Sequence, residues 1–269
     1  MFEKIIVSVG MPRSGTSWLS QIIDSCPQVR FRLSPLFSYA LKNCVNERSS
    51  SKEYYDMFRK AYEMDDEFMN QSRNRATGHY PVFREKNSSP PFLAIKMTRF
   101  HNLLRTMLLH CDNLKVVAIV RHPCGAIFSW LNTPSEFPAS ADPMKEWRTG
   151  NCRKTGPEEF WGVDDWQLVT SMHLRLKSEY PSRFTIIRYE DLVDDALNVS
   201  EKLFTFFDMP LTNQTEKFLR ASQSAHDDDS YAVFKNPAVK DKWRTALHPD
   251  IQEEIIRSIQ NTELERFLS

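Results

Sequence analysis

The chain has 269 residues, and its 35 Lys plus Arg balance 35 Asp plus Glu. That length can bury a substantial core without staples, so one α/β domain spanning 1–269 is expected. The zero net charge excludes an overall field that would recruit nucleic acid or an anionic membrane, so any anion site has to be local.

The run IIVSV at 5–9 is β-branched and nearly continuous, the pattern of a strand buried on both faces. It starts so early that no room is left for a signal peptide. The stretch G-M-P-R-S-G-T-S, Gly10 to Ser17, comes next, then a helix over 17–25 that has to stop before Pro27. Helices are expected over 34–48 and 53–70. FLAIKM at 92–97 reads as a short strand before a helix over 101–110, and LKVVAIV at 114–120 as another before a helix over 123–131, with Pro123 suited to its first turn. From 132 to 158 the chain carries Pro134, Pro138, Pro143 and Pro157 without a period, which predicts a long loop facing substrate. A helix over 159–179, the strand FTIIRY at 184–189 and helices over 194–207 and 249–267 complete the series. Strands alternating with helices predict a doubly wound parallel sheet flanked by helices, with the ligand beyond the carboxyl ends of the strands.

Five cysteines, Cys26, Cys44, Cys111, Cys124 and Cys152, form no CxxC pair, so neither a disulfide framework nor a zinc site is expected. The triplet Asp227 to Asp229 points in different directions and reads as a solvated loop, so no metal site is expected. No apolar stretch is long enough to span a bilayer. A soluble cytoplasmic protein without nucleic-acid or membrane partners is the expectation; oligomeric state has no signature.

Gly10 to Ser17 is nearly the phosphate loop G-x-x-x-x-G-K-[ST], with Thr16 in the lysine's place and Arg13 as its only basic residue. A glycine-permitted turn between a strand and a helix points backbone N–H groups at one spot, where the helix dipole favours an anion. Arg13 adds a bidentate donor, and Ser14, Thr16 and Ser17 add hydroxyls. With no lysine and no acidic strand end to hold magnesium, the loop suits a nucleotide lacking the β,γ-phosphate pair. Arg121, at a strand end, and Ser129, two helical turns on, can close around a second phosphate.

The segment P-R-S-G-T-S-W, Pro12 to Trp18, resembles the 5′-phosphosulfate loop of the sulfotransferases that use 3′-phosphoadenosine 5′-phosphosulfate (PAPS). VRHPCGAIFSW, with Arg121, Pro123 and Ser129, is similar to their 3′-phosphate element. RYEDL, Arg188 to Leu192, and FKNPAVKDKWR, Phe234 to Arg244, resemble two later segments in family order. The Arg13 form of the loop is closer to carbohydrate and bacterial-type members than to the cytosolic phenol and steroid enzymes.

The resemblance implies a P-loop-like sulfotransferase fold and an enzyme moving a sulfuryl group from PAPS, in line, to a hydroxyl or amine of a small-molecule or carbohydrate acceptor, with PAP (3′-phosphoadenosine 5′-phosphate) as product and no metal. Arg13 would stabilise the leaving group, Ser14, Gly15, Thr16 and Ser17 would hold the 5′-phosphosulfate, and Trp18 would stack on adenine with Tyr189 nearby. Arg121 and Ser129 would take the 3′-phosphate, completed by Lys235, Lys240 or Arg244. Lys96 would assist the departing sulfuryl group. Thr98 stands where many members have a histidine, so His101 is the expected base, with His79 as the alternative. Arg148, Arg153 and Lys154 hint at a polar or anionic acceptor, and Phe137, Trp147, Phe160 and Trp161 offer either an aromatic wall or an anchor for the loop. Two rivals share the loop: a small P-loop kinase, which Thr16 disfavours, and a non-catalytic adenine-nucleotide-binding protein of the same fold.

Overall fold

Ile5, Val7 and Val9 face one side of β1 (Lys4–Val9), Ile6 and Ser8 face the other, and all five are buried. A strand with no exposed face belongs inside a sheet covered on both sides. The computed structural model describes residues 2–224, 233 and 240–269 and places β1 at the centre. With β2 (Val29–Leu33), β3 (Phe92–Met97), β4 (Leu114–Val120) and β5 (Phe184–Arg188) it forms a sheet of order β2-β3-β1-β4-β5, every pairing parallel.

The helices of the amino-terminal half are α1 (Thr16–Asp24), α2 (Ser51–Glu63), α3 (Glu67–Asn70), α4 (Ser72–Ala76), α5 (Leu104–His110) and α6 (Pro123–Leu131). Those that follow are α7 (Pro143–Thr149), α8 (Gly162–Glu179), α9 (Tyr189–Asp194), α10 (Ala196–Phe207), α11 (Asn213–Ser224), α12 (Trp243–Ala246) and α13 (Pro249–Ile259). On the Ile5–Val7–Val9 face, α2, α5 and α8 pack Phe58, Met107, Leu108 and Leu176. On the Ile6 face, α1, α9, α10 and α11 pack Leu19, Ile22, Leu192, Phe204 and Phe218. A third cluster joins α6, α7, α8 and α13 to Met11 and Val120, at the carboxyl ends of β1 and β4. Each buried large aliphatic or aromatic side chain contributes about 1.5–3 kcal/mol, so all three layers matter to stability.

From β1 the chain crosses through α1 to β2 on one side of the sheet, whereas β4 lies on the other. The order therefore reverses at β1, and the crevice between the carboxyl ends of β1 and β4 is the natural ligand position.

Several expected boundaries are corrected. The helix expected over 34–48 is a single 3-10 turn, Pro35–Phe37, followed by turns; Ser34 enters it in the left-handed region (φ 37°), and Asn43 in the later turns is left-handed too (φ 55°). The helix expected over 53–70 begins earlier, on a capping box of Ser50 and Glu53, and breaks at Met64, whose backbone is extended. Asp66 then caps α3 by accepting from the Met69 N–H. The segment 132–158 is not structureless: Asp142 caps α7, with Pro143 in its first turn. The last long helix stops at Ile259 rather than 267, leaving a separate 3-10 turn, Glu265–Phe267. Strand β2 and helices α4, α9, α11 and α12 have no counterpart among the elements expected from the sequence, and Tyr189, expected to end a strand, opens α9.

Candidate functional site

Gly10 follows β1 directly, and a Cβ there would lie 2.6 Å from the Ile119 carbonyl oxygen of β4. Glycine thus lets the loop lie flat on the neighbouring strand. Gly15 caps α1 with φ 88°, and a Cβ on it would come within 2.5 Å of the Tyr189 ring. Arg13 holds φ 66°, a left-handed conformation uncommon outside glycine, and the Ser14 N–H donates to the Met11 carbonyl over 3.3 Å. Strain of this kind clusters at ligand sites. The α1 amino terminus carries no acidic residue in its first turn and no side-chain cap, so its N–H groups keep their affinity for an anion.

Three predicted residues converge on this loop. Arg13 Nε donates to Ser129 Oγ of α6 at 3.2 Å, and Arg121 Nη1, from the end of β4, donates to the Arg13 carbonyl at 3.0 Å. The Arg121 guanidinium lies over the Tyr189 ring, 4.7 Å from its centroid. Arg121 is buried, and its Nε has no hydrogen-bond partner among the described residues; the same holds for the Ser14 hydroxyl. Buried donors without partners are costly, so a guanidinium N–H and a hydroxyl left open beside a helix amino terminus fit an anionic group.

Neighbouring elements hold the arginine in place. Trp166 Nε1 donates to the Arg121 carbonyl at 3.1 Å, and Glu190 accepts from the His122 N–H at 3.0 Å. Burial pushes the Glu190 carboxyl up from its ordinary value. His122 caps α6 by accepting from the Cys124 N–H and stacks on Trp243, ring centroids 4.2 Å apart. Burial, then the Arg244 charge, lowers the imidazole to about 4, so it stays neutral at pH 7. A Cβ on Gly125 would stand 3.0 Å from Arg121 Nε, so this glycine lets α6 begin against the guanidinium.

Lys96, at the end of β3, donates to Ser17 Oγ at 2.7 Å, which puts its ammonium at the same loop. Thr16 is buried and Ser17 partly so. Trp18 is half-buried, with Nε1 donating to Ser222 Oγ of α11 at 2.9 Å, so its indole edge is tied to the Ile6-face layer. Tyr189 packs against Gly15 and beneath Arg121, under the loop.

Other predicted residues lie elsewhere. His101 is wholly buried: its Nδ1 is 3.3 Å from His173 Nε2, and its ring meets Phe160 edge-on. Burial lowers it to about 3. An imidazole enclosed in this way does not meet an incoming acceptor, which corrects the expectation of His101 as base. His79 is partly buried, and its carbonyl accepts from the Val233 N–H. Lys240 pairs with Asp194 and Arg244 with Asp241, and Trp243 between them packs against Gly125 of α6. Lys235 and the Asp227–Asp229 triplet lie outside the described residues.

Phe137, Trp147, Phe160 and Trp161 are all buried in the third cluster, which makes them anchors of the 132–161 segment rather than an open wall. Arg148 pairs with Asp164 and Lys154 with Asp165, whereas Arg153 lies over the Trp161 ring. One site residue escaped the sequence reading altogether. Glu136 brings Oε2 to 3.7 Å from Arg13 Nε, and nothing in the sequence marks one glutamate in a proline-interrupted stretch.

Comparison with known proteins adds the following. The sulfotransferase family profile described as "Sulfotransferase family" matches residues 6–213. Carbohydrate sulfotransferase 3 of Homo sapiens is 25% identical over 175 residues, 58% of this chain and 34% of that protein. Carbohydrate sulfotransferase 1 of Rattus norvegicus is 27% identical over 154 residues, 52% of this chain and 35% of that protein. The chain thus spans about a third of the length of the curated relatives it matches. The crystal structure of mouse sulfotransferase SULT7A1 complexed with PAP covers 100% of this chain and 88% of its own at TM-score 0.59 and 17% identity. The sulfotransferase domain from the curacin biosynthetic pathway covers 96% and 97% at TM-score 0.54 and 17% identity. At these identities the two structures speak for the fold.

Proposed function

The chain belongs to the sulfotransferase family, and on that premise we propose that it moves a sulfuryl group from PAPS to a hydroxyl or amine of a small-molecule or carbohydrate acceptor, releasing PAP. The observation that carries this reading is the convergence of Arg13, Ser129 and Arg121 on one glycine loop, beside a buried Arg121 Nε without a hydrogen-bond partner among the described residues. In this reading Ser14, Gly15, Thr16 and Ser17 hold the 5′-phosphosulfate on the α1 amino terminus, and Arg121 with Ser129 takes the 3′-phosphate. Trp18 and Tyr189 border the adenine. PAPS supplies a sulfuryl group on a phosphate leaving group. Sulfuryl transfer asks the protein mainly for alignment and charge stabilisation. Arg13 faces the charge that builds on the leaving group, and Lys96, tied to Ser17, stands ready for the departing sulfuryl oxygens.

The chain acts as one sulfotransferase domain over 1–269 in this proposal, with 132–158 facing the acceptor and no metal required. Its five free cysteines support a reducing, cytoplasmic compartment. Melting curves with PAP and with AMP test the reading. PAP raises the melting temperature at micromolar concentration, and AMP much less, because Arg121 and Ser129 then hold nothing. Equal shifts would remove the 3′-phosphate assignment. A sulfation screen of metabolites read by mass then identifies the acceptor; tight PAP binding without any sulfated product would favour a binding protein of the same fold.

A further inference from the structure

The acceptor hydroxyl needs a proton acceptor, and the enclosed His101 does not supply one. Glu136 is placed differently. Its Oε2 is buried, lies 3.7 Å from Arg13 Nε and has no hydrogen-bond partner among the described residues. Ser129 Oγ meets the same Nε, so the carboxylate and the α6 hydroxyl flank one guanidinium. The backbone beneath Glu136 is fixed: its N–H donates to the Thr133 carbonyl at 2.9 Å, and its carbonyl accepts from Trp130 Nε1 at 3.3 Å. Thr133 Oγ1 in turn donates to the Ser129 carbonyl at 2.6 Å. This part of the 132–158 segment is thus a fixed extension of α6.

A carboxylate in this place opposes what the rest of the site is built to bind. An anionic co-substrate on the α1 amino terminus is repelled by a second anion facing its arginine, and a buried carboxylate oxygen without a hydrogen bond is itself unfavourable. Both costs are offset if the carboxylate works during transfer. Building on the sulfotransferase reading above, we propose that Glu136 is the base that takes the acceptor's proton. As the acceptor oxygen forms its bond to sulfur, its proton passes to the Glu136 carboxylate, whose side chain keeps 13% of its surface open where His101 keeps none. The bond from sulfur to the bridging oxygen breaks, and its electron pair stays on that oxygen, which Arg13 faces. The proton leaves Glu136 to water after the sulfated product departs. Arg13 pairs with the carboxylate before transfer and turns to the leaving group as charge builds there.

The test compares wild type with Glu136→Gln and Glu136→Asp, each as the full chain, in PAP affinity by calorimetry and in sulfation turnover with an acceptor found in the screen. Glu136→Gln is expected to bind PAP about threefold more tightly or better, because an opposing charge is gone. Its kcat is expected to fall by at least about a hundredfold, the scale of a lost general base, with acceptor KM nearly unchanged. Glu136→Asp, which keeps a proton acceptor on a shorter arm, is expected to recover about tenfold over Gln. Weaker PAP binding in Glu136→Gln would mark a carboxylate that merely holds Arg13 in place and would overturn the proposal. So would near wild-type turnover in Glu136→Gln, or an Asp variant no faster than Gln. Wild-type protein that fails to bind PAP would defeat the sulfotransferase reading itself, a failure distinct from these.

Discussion

Acidification from pH 7 to pH 5 should weaken this fold through histidines the site does not use. His101 is wholly buried against His173, and the pair is lined by the rings of Phe160 and Phe184. Burial lowers His101 to about 3. It also holds His173 well below its ordinary value, and the neighbouring His101 lowers it further. In the unfolded chain an imidazole binds a proton near pH 6.5, long before the folded one does. Its stabilising contribution is therefore complete above about pH 6.5 and is lost progressively as pH falls towards 3. At pH 5 the solution is about 1.5 units below the ordinary value that the unfolded group keeps, which at 1.36 kcal/mol per unit is about 2 kcal/mol for His101 alone. His122, lowered to about 4, adds a similar amount of about 2 kcal/mol in the same window. Glu190, raised by burial, offsets part of this, because its carboxyl takes up a proton more readily in the folded state. Asp208 and Glu159 are lowered, so their contributions vanish only at more acidic pH. Urea unfolding of wild type and His101→Gln at the two pH values, read by tryptophan fluorescence, isolates the effect. The variant should lose about 2 kcal/mol less than wild type between pH 7 and 5. Equal losses in both, or a His101 C2 proton that titrates near pH 6.5 in the folded protein, would refute the argument.

The loop makes three further predictions. Arg13→Ala should lower turnover by about two to three orders of magnitude, the scale of removing one charge-stabilising donor, with kcat rather than KM carrying the loss. Gly15→Ala places a methyl within 2.5 Å of the Tyr189 ring at φ 88°, and should cost about 1–3 kcal/mol in unfolding free energy and weaken PAP binding, both measurable on the same preparation. In PAP affinity, Arg13→Ala and Ser129→Ala should be non-additive by about 0.5–1.5 kcal/mol, since they share one hydrogen bond. Arg13→Ala and Arg121→Lys should instead add, because Arg121 grips the Arg13 backbone carbonyl, which alanine keeps. A double-mutant cycle by calorimetry separates the two cases, and strong coupling of Arg13 with Arg121 would contradict the backbone contact.

The loop over 10–17, Lys96 and Arg121 were legible in the sequence because each stands at or just beyond the end of a strand whose apolar run is unmistakable, and Ser129 follows Arg121 two turns along α6. A parallel sheet gathers its strand ends on one side, so residues far apart in the chain meet without any further signal. Strand β2 was not legible. Val29-Arg30-Phe31-Arg32-Leu33 alternates apolar with cationic residues, yet Arg32 is buried because its guanidinium donates to the carbonyls of Ala61, Phe31, Tyr62 and Met64. Three of those four acceptors, Ala61, Tyr62 and Met64, come from α2 and its end, a tertiary supply that no local pattern discloses. His101 misled for a related reason. Its nearness in sequence to Thr98 suggested the site, but Phe100 takes a left-handed turn (φ 60°) that sends the next residue inward to His173.

Glu136 reverses the case of His101. Its stretch has no period, and its role depends on three contacts that fold it back onto α6. The residues proposed to bind phosphate sit where backbone geometry alone would put them, whereas the residue proposed to meet the acceptor is set by side-chain packing in a segment anchored by Phe137, Trp147, Phe160 and Trp161. A fold that fixes its donor site in the backbone and its acceptor site in packed side chains can change acceptor while keeping donor. The loop with the missing lysine therefore speaks for the co-substrate, and the packing around Glu136 and Arg153 is where the acceptor's chemistry has to be sought.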